Sequence, residues 1–163
     1  MGFVINCFLI VLVVLVAGAI AAGRLGWLRG SPPLDLGVRD GRLKAPSNKP
    51  NSISSQAGLH LDHPRRSDAQ VEPLRYQGDG AAALARLKAL VEATEGAQIV
   101  RSEPAYLYAT YSSRLMRYVD DVEFHLDPAA GVIHVRSASR IGYSDRGANR
   151  ARIEALRARF AAG

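Results

Sequence analysis

Serine, histidine and carboxylate, the residue types of a nucleophilic relay, recur within one short stretch of the chain. Asp120, Asp121 and Glu123 stand in "RYVDDVEFHL", and His134, Ser137 and Ser139 in "VIHVRSASR". The carboxylates alone are candidates for acid and base work. Strand alternation sorts these residues by face, because neighbours along a strand point to opposite sides of a sheet. Ser137 and Ser139 continue the face of Ile133 and Val135, Asp120 shares it, and His134 points the other way. No Gly-x-Ser-x-Gly elbow is present to raise a serine out of the sheet. Asp120, Ser137 and Ser139 are therefore assigned to a buried polar network, and no catalytic residue is assigned.

The opposite face carries Tyr106, Tyr108, Arg136 and Arg140, with Arg117, Tyr143 and Asp145 at its edge. Aromatic and arginine side chains together are enriched at interfaces, so these seven are the candidate ligand or partner surface, for a protein or a lipid. The competing reading is that another part of the chain, residues 31–70, covers this face. Tyrosines beside arginines on an open sheet also resemble a nucleic-acid stacking platform, a reading that the apolar N-terminus argues against. "HLDH", His60–His63, is the one spacing that hints at a metal, but it lies in a polar segment without further ligands. "YQGDGAA" opens a helix yet lacks the lysine of a phosphate loop. No cofactor or metal is expected.

The elements that must position these residues follow from period and punctuation. "VEPLRY" reads as a short strand, and Asp79 as the N-cap of a helix whose stripe is Leu84, Leu87, Leu90 and Val91, closed by Gly96. "AQIVRS" and "AYLYATYSS" read as strands, the second with Leu107, Ala109 and Tyr111 on one face. "VDDVEFHL" and "VIHVRSAS" flank "DPAAG" as an antiparallel hairpin. The register expected places Phe124 opposite Ile133, Val122 opposite Val135, Glu123 opposite His134 and Asp121 opposite Arg136. Asp145 or Asn149 caps a last helix with Ile153, Leu156 and Phe160 buried and Arg150, Arg152, Arg157 and Arg159 facing away. The class is α+β: an antiparallel sheet in the order β-α-β-β-β-β-α, with helices on one face.

Ahead of this domain, residues 71–163, lie two different segments. Residues 2–23 carry no charged side chain, and about 20 apolar residues suffice to cross a bilayer as a helix. Residues 1–23 read as an uncleaved transmembrane anchor in contact with the lipid bilayer. A cleaved signal is the alternative, with Ala19-Ile20-Ala21 as its small-x-small site, but no Lys or Arg precedes the apolar run. Residues 24–70 read as an extended polar linker or wrapping arm, in which "PSNKPNSISSQ" is a run of turn formers. All 21 Lys and Arg and all 15 Asp and Glu follow residue 23, so the net charge of +6 belongs to the part outside the span and favours acidic surfaces. The single cysteine, Cys7, lies in the span, leaving the domain without a disulfide.

"RYVDDVEFHLD" and "VRSASRIGYSDRGANRARIEALR", together with "LGVRDGRL", "KPNSISSQA" and "VEPLRYQGD", resemble the domain of unknown function 1499 family of bacteria and plastids across most of residues 36–160. The resemblance implies a small, often membrane-anchored or organellar protein and brings no agreed activity. The family pattern places a Cys after the Pro-Asn of the linker and another a few residues earlier. Here Ser52 follows Pro50-Asn51 and no earlier Cys stands near it.

The function expected is a non-catalytic binding or scaffolding module at the bacterial envelope, single-pass in the inner membrane, with the side of its soluble part left open. The alternative is a membrane-tethered enzyme acting on envelope or lipid substrates through Asp120, Asp121 and Glu123.

Overall fold

The computed structural model describes residues 2–162; Met1 and Gly163, the outer ends of the expected anchor and domain, lie outside the described residues. Helix α1 spans Gly2–Arg24, followed by strand β1 (Ser52–Ser54), β2 (Leu74–Arg75), helix α2 (Gly80–Glu92), strands β3 (Ala97–Glu103), β4 (Tyr106–Ser112), β5 (Val119–Asp127) and β6 (Val132–Ser139), and helix α3 (Ala148–Ala161). The six strands form one antiparallel sheet in the order β1-β6-β5-β4-β3, with β2 also paired to β6. The α+β architecture is as the sequence predicts.

Both α2 and α3 lie on the face that bears Leu107, Val122, Phe124, Ile133 and Val135, and all five are buried with Leu84, Leu87, Val91, Ile153, Leu156 and Phe160 in one apolar core. Asp79 accepts hydrogen bonds from the N–H groups of Ala81 and Ala82, at 3.3 and 2.9 Å, and so starts α2. Asp145 does the same for α3 from outside the helix, accepting from Gly147 and Asn149 N–H at 3.0 and 2.9 Å. The α3 arginines do not face away. Arg150 donates to the Gln70 and Asp68 carbonyls, Arg152 to Asp120, Arg157 to the Glu72 carbonyl and Arg159 to Thr94 Oγ1. Long arginine stems lie along the helix surface while their heads reach neighbouring segments.

The hairpin register differs from the sequence reading by two residues. Phe124 faces Val135, Val122 faces Ser137, Glu123 faces Arg136, His125 faces His134 and Asp121 faces Ala138. The turn explains the shift. The expected pairing needs a two-residue loop of Pro128-Ala129, which lacks the Gly or Asn such turns require. The observed loop runs from Pro128 to Gly131, with Asp127 Oδ1 accepting from Ala130 N–H at 3.1 Å and Gly131 at φ 63°. A slip of two preserves the faces of every side chain, so the buried and open sets survive while the partners change.

The second face of the sheet is covered by residues 36–56, in the stretch read as linker or arm. Leu43 is buried with Tyr106 and Tyr108, and Leu36 and Val38 pack beside them. Gln56 ties this segment together, accepting from Leu43 N–H at 2.8 Å and donating to the Gly41 carbonyl at 3.0 Å. The segment then enters the sheet as β1, where Ser52, Ile53 and Ser54 pair with Ala138, Ser137 and Arg136. Ser52 accepts a hydrogen bond from Ser47 N–H at 2.7 Å.

Helix α1 is long and apolar enough to cross a membrane. Its C-terminal end is docked on the domain. Gly23 is buried against the Met116 carbonyl so closely that no side chain fits there. A Cβ at Gly30 would stand 2.7 Å from Ile141 Cγ2 and 2.8 Å from Arg140 Cβ. The β4–β5 loop and the corner after β6 thus form the base of the domain, the end next to α1.

Candidate functional site

On the covered face every charge has a partner. Glu123, wholly buried, accepts from the Tyr106 hydroxyl at 2.7 Å, Gly37 N–H at 2.8 Å and Arg136 Nη1 at 3.3 Å. Arg136 also donates to the Ala45 carbonyl, linking sheet and arm. Asp121 accepts from the Tyr108 hydroxyl at 2.5 Å and from Arg140 Nε and Nη2 at 2.9 and 2.8 Å. Burial, followed by the charge of Glu123, pushes the Tyr106 hydroxyl well above the usual tyrosine range. Burial, followed by the hydrogen bond to Asp121, pushes Tyr108 up to about 12. Asp121 in turn raises the Arg140 guanidinium above its ordinary value. Tyr106, Tyr108 and Arg136 are therefore clamps beneath the arm rather than an open surface. Asp121 and Glu123 are thus both held by hydrogen bonds from the sheet and the arm.

Beneath α3 the expected polar network takes a different form. Ser137 donates to Asn149 Oδ1, Asn149 Nδ2 donates to Ser139 Oγ at 3.0 Å, and Arg152 bridges Asn149 Oδ1 at 2.9 Å to Asp120 at 2.5 Å. Asp120 meets the serines through Arg152. Asn149 is fully buried and is the hub that sequence reasoning treated only as a possible cap. A signal was present, because Asn149 falls four residues before Ile153 on the buried stripe of α3, where a polar residue needs buried partners.

The structure also aligns Ser55, His134 and Asp127, a combination sequence reasoning missed. Ser55 Oγ lies 3.2 Å from His134 Nδ1, and His134 Nε2 lies 3.6 Å from Asp127 Oδ2. Ser55 Oγ also accepts Val135 N–H at 2.9 Å and so extends the β6 ladder. The nearby Gly58 N–H is held by the Gln70 side chain at 2.8 Å. His60 and His63 line a shallow groove, and among the described residues no group of three or more His, Cys, Asp or Glu is placed to hold a metal ion.

The base contrasts with both buried networks. Segments 23–31, 113–118 and 140–147 hold six arginines, Arg24, Arg29, Arg114, Arg117, Arg140 and Arg146, against one carboxylate, Asp145. That is +5 of the chain's formal +6. Among the described residues only Arg140 of the six pairs with a carboxylate. Asp145 is committed to α3: burial acts to raise its carboxyl, but the N–H groups of Asn149 and Gly147 outweigh burial and hold it below the usual range. Between the arginines stand exposed apolar side chains: Leu25, Trp27, Leu115, Tyr118 and Tyr143, the last 73% exposed. Arg117 and Arg146 occupy left-handed backbone at φ 57° and 53°, a strained placement that persists only where its surroundings hold it. Of the seven candidate surface residues, Arg117, Arg140, Tyr143 and Asp145 meet here.

Residues 42–160 match the family model described as protein of unknown function, DUF1499. The chain belongs to that family. No curated protein and no solved structure matches it. The DUF1499 match begins at Arg42, inside the covering arm, so it takes in Leu43, Gln56 and β1 together with the sheet that they complete.

Proposed function

We propose that the chain is a non-catalytic binding module held by a single N-terminal span in the bacterial inner membrane, with its base applied to the anionic headgroup layer of the bilayer. The observation that carries this reading is the cluster of base arginines, all but Arg140 without a carboxylate partner among the described residues, and of exposed Trp27, Leu115, Tyr118 and Tyr143 around the end of α1. Aromatic side chains favour the membrane interface, and each Lys or Arg near an anionic leaflet contributes about 1 kcal/mol of attraction.

A label attached at Tyr143→Cys, and in a separate protein at Ala129→Cys, tests the reading in a Cys7→Ser background. The full chain is placed in nanodiscs containing phosphatidylglycerol, and broadening is measured from a paramagnetic ion chelated at the headgroups. Strong broadening at position 143 and none at 129, beyond the far end of β5, is the expected result. Equal broadening at both positions contradicts it.

A further inference from the structure

A pocket of about 550 Å3 opens in the base, between the segment after α1, the β4–β5 loop, the corner after β6 and the first turns of α3. That volume lies within the roughly 300–1,000 Å3 range of small-ligand sites. Leu28, Tyr118 and Ile141 give it an apolar wall. The remaining wall is polar and holds two arginines, Arg146 and Arg152, and two carboxylates, Asp120 and Asp145. Ser113 Oγ accepts from Tyr118 N–H at 2.9 Å, Ser144 Oγ from Arg146 N–H at 3.1 Å and Ser139 Oγ from Asn149 Nδ2 at 3.0 Å. Among the described residues none of these three hydroxyls donates its own proton, and the Arg146 guanidinium has no carboxylate partner.

Both carboxylates of the lining already take protein donors. Asp120 holds Arg152, and Asp145 takes the N–H groups of Gly147 and Asn149 together with Asn149 Nδ2 at 2.8 Å. The unpaired Arg146 guanidinium and the three hydroxyl protons thus stand beside an apolar wall, with Asp120 and Asp145 turned to Arg152 and to the start of α3. Such a lining matches a ligand rich in anionic oxygen at one end and apolar at the other.

Resting on the reading of the base as bilayer-facing, we propose that this pocket binds the headgroup of one anionic glycerophospholipid. Its phosphate meets Arg146 and the serine hydroxyls, its glycerol lies against Leu28 and Ile141, and its acyl chains leave along the end of α1. Free phosphate has the same anionic chemistry but leaves the apolar wall without a partner.

Native mass spectrometry of the full chain in detergent, with phosphatidylglycerol, phosphatidylethanolamine or inorganic phosphate added, tests the site. One phosphatidylglycerol per chain is expected, held at least about fivefold more tightly than phosphatidylethanolamine and not displaced by excess phosphate. Arg146→Gln removes the charge, and Ala148→Trp fills the pocket from an exposed position at the start of α3. Each should weaken retention about tenfold, whereas Arg75→Gln, near the β5–β6 turn, should leave it unchanged. Equal retention by Ala148→Trp, binding without fixed stoichiometry, or displacement by phosphate would overturn the site. Any of these, with the label at position 143 still broadened, removes the pocket but leaves the bilayer contact standing. Loss of that broadening removes both.

Discussion

Arginine plays two parts in this molecule, and the contrast between the covered sheet face and the base separates them. Beneath the arm, Arg136 is 4% exposed and is joined to a wholly buried Glu123, with Tyr106 and the Gly37 N–H completing the carboxylate's shell. At the base, Arg114, Arg117 and Arg146 are exposed and pair with no carboxylate among the described residues. A buried charge without its partner is costly, so the first kind is bound to the fold. An exposed charge without a partner costs the fold little and remains available to something outside it.

The largest effect should follow from breaking the covered face. Glu123→Ala leaves Arg136 buried without its carboxylate and removes the acceptor of Tyr106 and Gly37, so it should destabilise the domain by about 3–5 kcal/mol in denaturant unfolding. A loss below about 1 kcal/mol would show that the arm is not held through this residue.

The same face should also yield to alkali. Folding keeps the Tyr106 and Tyr108 hydroxyls protonated above the unfolded tyrosine value of about 10. The unfolded chain therefore loses protons that the folded chain retains. The stability contributed is full below pH 10 and declines as pH rises towards about 12, where Tyr108 titrates in the folded state. Urea midpoints across this range should fall in the native chain and fall less in Tyr108→Phe.

A smaller effect is expected where the two regions meet. Asp145→Ala removes the acceptor for Gly147 and Asn149 N–H and should cost about 1 kcal/mol, read as a lowered midpoint. Because its carboxyl is held below the usual range, Asp145 contributes above the unfolded aspartate value, and that contribution is lost as pH falls through its folded value. The Asp145→Ala chain should show less loss of stability on acidification than the native chain.

What could be read from the sequence follows physical range. Period and capping are local, so Asp79, the stripe of α2 and the faces of β4, β5 and β6 were legible. Register was not, because charge pairing favours Glu123 opposite His134 about as well as opposite Arg136, and the turn at Pro128–Gly131 decided between them. Residues 36–56 show no helical or strand period, since they are held by hydrogen bonds to distant partners such as Glu123 and Arg136. Nothing local announces such bonds. The base was half legible for the same reason: Arg117, Arg140, Tyr143 and Asp145 were named among the surface residues, but only the fold brings Arg24, Trp27 and Leu28 beside them.

The most direct test of the account compares lipid selectivity with stability in one protein. In the full chain carrying Arg114→Gln, Arg117→Gln and Arg146→Gln, the selectivity of the lipid shell for spin-labelled phosphatidylglycerol over phosphatidylcholine is measured alongside the unfolding midpoint. The account predicts that selectivity falls severalfold while stability changes by no more than about 0.5 kcal/mol, because these charges serve the bilayer and not the fold. Unchanged selectivity, or a loss of stability comparable to that of Glu123→Ala, would contradict it.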